Sequence, residues 1–313
     1  HLLSTAFSPV ATLGDKLRVA KLRRRVCQGT LDQLFQQPET TTIEALRSHG
    51  FSDRIIQCFF RPFLGGVFLD PELHTSSRMF DFVFRMFSSG DAAVPAHGMG
   101  ALAQQLADQL PNGTVRTTTA VESIEGKDSV RLENGELLSG RAVVVACDAP
   151  AAAKLLDEQT HPPGQGVRCM YFAAEKPPID EPILVLNGDD SGPINNLCVP
   201  SQVTDTYAPP DQSLISATVI DIDRDEEELR AAVIEQLEAW FGPDVRHWRS
   251  LRTYRIPFAL PNQAPPALSP VAKACSRSDG IYICGDYLDS ASIQGAMISG
   301  RRAADEILAI QPE

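Results

Sequence analysis

The sequence predicts a mixed α/β fold in two domains, and three features predict it. The first is a strand, turn and helix near the carboxyl end: the β-branched and aromatic run 280–284 stops at Gly285-Asp286, and an apolar pattern follows at Ile293, Met297, Gly300, Ala304 and Ile307. The second is a set of short strand-like runs between 166 and 220, whose lengths and turn residues suit an antiparallel sheet. The third is size, since 313 residues and 34.0 kDa suffice for two cores.

Taken from the start, residues 12–36 read as one or two helices, with Leu13, Leu17, Ala20 and the run 31–35 supplying apolar positions. Six basic side chains lie between Lys16 and Arg25. They suit a solvated helix face, or a patch drawn to anionic lipid headgroups and hence a peripheral membrane contact. Ser52 or Asp53 can cap a helix running to Phe59, which Pro62 and the Gly65-Gly66 pair then break. Phe80, Val83, Phe84 and Phe87 place aromatic bulk on the inner side of a helix over 76–87.

Gly98, Gly100 and Ala103 imitate a dinucleotide fingerprint, but no buried strand precedes them, so they read as the start of a helix to 110. Strands follow at 114–118, 121–125 and 130–133, then an Asn134-Gly135 hairpin turn, then a buried strand at 142–147. The antiparallel set lies at 166–174, 183–187, 195–199 and 214–220. Acids at 223–228 introduce a helix over 229–241, and a last strand at 253–261 leads through a proline-rich loop to the carboxyl-terminal motif.

Composition excludes several function classes. A net charge of -12 and a pI near 5.0 argue against nucleic acid as a partner. Seven widely spaced cysteines suit buried thiols in a reducing compartment, cytoplasm or plastid stroma. No metal-binding spacing and no G-x-S-x-G elbow occurs, and the longest apolar run, 142–147, is too short to span a bilayer. A sequence that begins at His1 implies further residues upstream.

The turn before the last helix is a place to hold a ligand. The first turn of a helix presents unpaired amides and the positive end of its dipole, and small residues let a flat or anionic molecule approach. The residues Gly285-Asp286, Gln294-Gly295-Ala296 and Ser299-Gly300-Arg301-x-Ala303-Ala304 resemble the carboxyl-terminal FAD-contacting motif of the flavin amine oxidase and plant-type carotene desaturase superfamily. The resemblance implies a split FAD-binding domain of Rossmann-like type at 90–165 and 275–313, and a substrate or cap domain of antiparallel sheet and helices at 1–89 and 166–274. Implied cofactor contacts are Val121, whose backbone would meet the adenine, Gly285, Asp286 at the ribityl or pyrophosphate, and Ser292, Ile293, Gln294 and Ala296 at the flavin.

Departures from the family pattern are informative. The amino-terminal β-α-β unit with Gly-x-Gly-x-x-Gly is not among these residues, so an upstream segment or a separate chain would supply it, or FAD is not bound. Ser292 stands where amine oxidases carry an aromatic wall, and Arg168 where they carry a flavin-adjacent lysine, which makes Arg168 the candidate catalytic residue. The pattern lies nearer the carotene desaturases, with protoporphyrinogen oxidases as neighbours. It implies an oxidoreductase taking hydride from a lipophilic isoprenoid or tetrapyrrole. The alternative is a non-catalytic scaffold subunit of a larger assembly that keeps the fold without FAD.

Overall fold

A computed structural model describes residues 10–310. In chain order it begins with helices α1 (Leu13–Val26), α2 (Leu31–Phe35), α3 (Thr42–Ser48) and α4 (Asp53–Ile55). A π-helical turn, Ile56–Phe60, joins α4 to α5 (Arg61–Phe68), and α6 (Ser77–Ser89) and α7 (Gly100–Ala107) follow. Next come β1 (Val121–Ile124), β2 (Ser129–Leu132), β3 (Leu137–Ser139), β4 (Val144–Val145), α8 (Ala149–Leu155), β5 (Gly164–Ala174), β6 (Leu184–Leu186) and β7 (Asn196–Cys198). The chain continues through α9 (Pro200–Val203), β8 (Ser213–Val219), α10 (Glu226–Phe241), β9 (Arg249–Pro261), β10 (Tyr282–Ile283) and α11 (Ile293–Ile310). Contacts divide it into two compact units, His1–Gln104 with Gln165–Ala259, and Gln105–Gly164 with Leu260–Glu313.

In the first unit, β6-β7-β8-β5-β9 form one five-stranded sheet, antiparallel at β6/β7, β7/β8 and β8/β5. Side chains alternate across it as period-two strands require. Met170 and Phe172 from β5, Leu197 from β7, and Ile215, Ala217 and Val219 from β8 pack against Leu229, Val233 and Leu237 of α10. Each large apolar side chain buried there contributes roughly 1.5–3 kcal/mol. The opposite face of the sheet carries Cys169, Tyr171, Cys198 and Ser216, most of them half-buried.

The helical part of this unit is built on aromatic contacts. Phe60 is fully buried and meets Phe51 at 4.9 Å and Phe80 at 6.2 Å, both edge to face. Pro62 does not break the helix as its sequence suggests. It falls in the first turn of α5, where no amide is needed, and the π-turn before it absorbs the change in register. On α1 the expected apolar side is also displaced: Leu22 and Val26 are buried, whereas Leu13 and Leu17 are exposed.

Asp15 explains that rotation. Fully buried on α1, it accepts hydrogen bonds from Thr12 N (3.1 Å), Thr12 Oγ1 (2.6 Å), Ser52 N (2.9 Å) and Ser52 Oγ (2.7 Å). Burial opposes its ionisation, but the bonds from Thr12 and Ser52 outweigh burial and hold the carboxyl far below the usual range. One carboxylate thereby caps α1 and fastens it to the start of α4. Arg25 makes a second tie, a two-pronged pair with Asp81 of α6 at 2.7 and 2.6 Å.

In the second unit, β1-β2-β3 form an antiparallel meander whose β2–β3 turn centres on Asn134 and Gly135, with Gly135 at φ 85°. Residues 114–118 are not a strand, and Thr118 takes a left-handed φ of 52°. β4 pairs in parallel with β10, and only Val145 of β4 is buried, since Val144 is exposed. Helix α11 buries Gly295, Ser299 and Ala303, not the apolar stripe that its periodicity picks out. Ile293 and Met297 are 52% and 54% exposed. The buried face is narrow because the helix lies close against backbone: a Cβ on Gly295 would stand 1.9 Å from the Ser290 carbonyl oxygen.

Two predictions follow from these packings. Asp15→Asn is expected to cost roughly 1.5–3 kcal/mol at neutral pH, read by urea unfolding. Because the folded-state pKa is depressed, the gap from wild type should be full above the unfolded pKa of about 3.9 and should shrink as pH falls below it. Gly295→Ala should cost about 3 kcal/mol or more through overpacking against backbone. Gly300→Ala, whose new Cβ would sit 4.0 Å from Cys284 Sγ, should instead gain up to about 1 kcal/mol from helix propensity; thermal melts of the two variants compare them directly.

Candidate functional site

The site begins where β10 ends. Parallel pairing carries Tyr282 N to Val143 O and Cys284 N to Val145 O, both at 3.0 Å, and the chain then leaves the sheet at Gly285. Gly285 is extended, a conformation open to any residue, but a Cβ there would lie 2.4 Å from the ring of Tyr287. Glycine is therefore required by space, not by φ. Asp286–Leu288 form one 3-10 turn, with Leu288 N bonded to Gly285 O (3.2 Å) and Asp289 N to Asp286 O (3.2 Å).

Four side chains lock that turn. The Ser299 hydroxyl accepts from Gly285 N (3.0 Å), and its proton is shared between Gly285 O (2.8 Å) and Ala296 O (2.9 Å). Arg302 pairs with the Asp289 carboxylate and donates to Leu288 O (3.0 Å) and Lys273 O (3.1 Å). Lys273 Nζ donates to Tyr287 O (3.0 Å), and burial pulls its pKa down, opposed by the charge of Asp289. Gln263 Nε2 completes the set on Asp289 O (2.9 Å). The carbonyls of residues 287, 288 and 289 are thus all held, so the turn is rigid.

Ser292 starts α11. Its hydroxyl accepts from Gly295 N (3.0 Å) and its carbonyl from Ala296 N (3.0 Å). The amides of Ile293 and Gln294 have no carbonyl of their own helix to reach and mark its positive end, and both residues are exposed. Asp286 is half-buried, and burial pushes its carboxyl up. Tyr287 is buried with no hydrogen-bond partner for its hydroxyl, whose pKa is pushed up to about 12, burial being the main cause.

These residues fit one end of a flavin cofactor. An orphaned buried hydroxyl, a half-buried carboxyl without a cation, and a stretch of small residues before a helix N-terminus are the features that a polar, planar group would complete. The glycine-rich turn needed for a pyrophosphate is not formed by Gly98 and Gly100, which open α7, a helix with no buried residue.

The expected residues fall into three groups. Gly285, Asp286, Ser292, Ile293, Gln294 and Ala296 are brought together in the second unit by the turn and α11. Val121, in the same unit, opens β1 and is 36% exposed, where its reading as cofactor contact or core valine had required burial. Arg168 belongs to the first unit and is buried; Nε and Nη2 donate to Ile222 O, and Nη2 also to Arg224 O at 2.6 Å. It holds the loop that leads into α10. Ser299 lies in the motif that carries the resemblance, but its role as a clamp, the Asp289–Arg302 pair and the orphaned hydroxyl of Tyr287 were not legible from sequence, because they depend on contacts made across 13 and 14 positions and on burial.

Among the described residues no group of His, Cys, Asp or Glu could hold a metal ion, and no helix is long and apolar enough to cross a membrane. No curated protein matches the sequence at a significant level. Among solved structures, an oxidoreductase from Methanosarcina mazei is similar at 15% identity with a TM-score of 0.72, covering 94% of this chain and 73% of that one. A reduced UDP-galactopyranose mutase aligns at 15% identity and TM-score 0.64, with 96% and 74% covered. Cyclohexylamine oxidase from Brevibacterium oxydans IH-35A aligns at 13% and 0.59, with 93% and 74% covered. At these identities the likeness is one of fold, the mixed α/β, Rossmann-like architecture of FAD-binding proteins. The sequence itself matches the description "flavin containing amine oxidoreductase" over residues 2–308. With that match spanning nearly its whole length and FAD as the corresponding cofactor, the chain belongs to the flavin-containing amine oxidoreductase family.

Proposed function

We propose that this protein is an FAD-dependent oxidoreductase that takes hydride from a lipophilic carbon skeleton, an isoprenoid or a tetrapyrrole. The observation that carries the reading is the Gly285-Asp286 turn, clamped by Ser299 and Arg302 in front of the α11 N-terminus. A flavin held there supplies the two-electron acceptor. Asp286 would bind its polar chain, and the amides of Ile293 and Gln294 would favour negative charge on the ring beside them. Both tasks need a turn that does not shift, which Ser299 and Arg302 provide.

The lipophilic class is favoured by features of each unit taken separately. Ser292 offers no aromatic wall for an amine. In the first unit, the sheet face away from α10 sets Tyr171 against Tyr254 at 5.9 Å, with the Cys169 and Ser216 side chains beside Tyr171 and Arg252 over the Tyr254 ring at 4.8 Å, an aromatic surface that suits a lipophilic ligand. Burial is the main reason that the Tyr171 hydroxyl is pushed up to about 12, so it stays a neutral hydrogen-bond donor.

The ADP half of FAD needs a glycine-rich turn from a further segment or a second chain. The stripe of exposed Ile293, Met297, Ala304 and Leu308 with partly buried Gly300 on α11 is a surface that such a segment would cover, with small residues at its middle to admit a close neighbour.

The test is FAD binding followed by fluorescence, with Asp286→Asn as the variant. Loss of the carboxylate should weaken retention about tenfold or more, worth about 1.4 kcal/mol. The same substitution should leave the fold at least as stable at neutral pH: the folded pKa is raised, so ionisation costs stability as pH rises through it, and Asn carries no charge. Bleaching of the flavin under anaerobic conditions by polyenes or porphyrinogens, and not by simple amines, is the expected specificity. A protein that is colourless in its full-length form and takes up no FAD would sink the proposal in favour of a scaffold subunit.

A further inference from the structure

We propose that the outward face of α1 docks on an acidic lipid bilayer surface. The helix has two unlike sides. Asp15, Leu22 and Val26 face the protein, while Leu13 and Leu17 are 76% and 67% exposed. At about 100° per residue, Leu13, Leu17, Ala20 and Arg24 fall within an arc of roughly 60°, opposite the buried side, with Lys16 on one flank and Lys21 on the other. Ala20, Lys21 and Arg24 are exposed.

The remaining cations of the helix are turned to the protein. Arg25 pairs with Asp81, Arg18 with Asp15 at 3.4 Å, and Arg23 donates to Ser88 O at 3.2 Å. That last bond sets the end of α6 beside α1, and α6 adds exposed Met86 and Phe87 just before Ser88.

Charge complementarity selects the occupant. The chain carries -12 overall, yet this fourteen-residue helix holds six cations and one acid. A patch of basic residues on an acidic protein attracts a polyanionic surface. A nucleic acid or soluble polyanion would satisfy Lys21 and Arg24 but leaves two leucines in water. A bilayer interface accepts both, apolar side chains at the acyl boundary and lysine or arginine tips among headgroups. Lipid is therefore the ligand class that uses the whole face, and the inference stands apart from any flavin chemistry.

Co-sedimentation of the purified protein with vesicles tests it, and needs no cofactor. Phosphatidylcholine vesicles containing phosphatidylserine should retain the protein about tenfold better than phosphatidylcholine alone at low salt, and raising salt to about 0.5 M should remove most of that gain. Leu13→Ser with Leu17→Ser, and separately Lys21→Glu with Arg24→Glu, should each lower binding about fivefold or more, with unchanged circular dichroism because all four side chains are exposed. Equal binding to neutral vesicles, no binding at low salt, or indifference to both double variants would overturn the proposal. Retention on immobilised heparin without vesicle binding would overturn it too, assigning the face to a soluble polyanion.

Discussion

A hydroxyl group nearly two turns inside the terminal helix governs the carboxyl-terminal unit. Ser299 Oγ accepts a hydrogen bond from the Gly285 amide and donates its own to the carbonyls of Gly285 and Ala296, so the end of β10 and the body of α11 are joined through a single oxygen. A contact that short in reach requires small residues on either side. Gly295 supplies one, against the Ser290 carbonyl, and Ala303 another, against Cys275 and Cys284. The helix is consequently fixed in rotation by polar and small groups, and its larger apolar side chains are turned outward.

That constraint also shapes the chemistry available at the turn. Arg302, one helical turn beyond Ser299, reaches the Asp289 carboxylate and two carbonyls, and Lys273 and Gln263 hold two more. With its neighbours so bound, Asp286 is left half-buried without a cation and Tyr287 with an unpaired hydroxyl. Each is an unfavourable arrangement for an isolated chain. Strain of this kind concentrates where a ligand is to be held, because the ligand supplies what the protein lacks.

In the first unit two buried charged groups are put to structural use. Asp15 satisfies the start of α1 and the start of α4 at once. Arg168 binds the carbonyls of the loop before α10 and so fixes the helix that covers the sheet core. A charged residue at a strand start looks the same in sequence whether it serves catalysis or a loop, since the difference lies in which carbonyls the fold brings to it from more than fifty positions away.

The sequence by itself determined the family, the mixed α/β class, the antiparallel run from 166 to 220 and the small-residue turn at Gly285, because these rest on local periodicity and on residue identities at short, fixed offsets. Only the tertiary structure decided which face of α1 and of α11 is buried, that Pro62 sits inside a helix and that Val121 is exposed. The two helix faces depend on partners distant in sequence, Ser52 for Asp15 and Gly285 for Ser299, whose hydrogen bonds outweighed the apolar pattern of the helix itself.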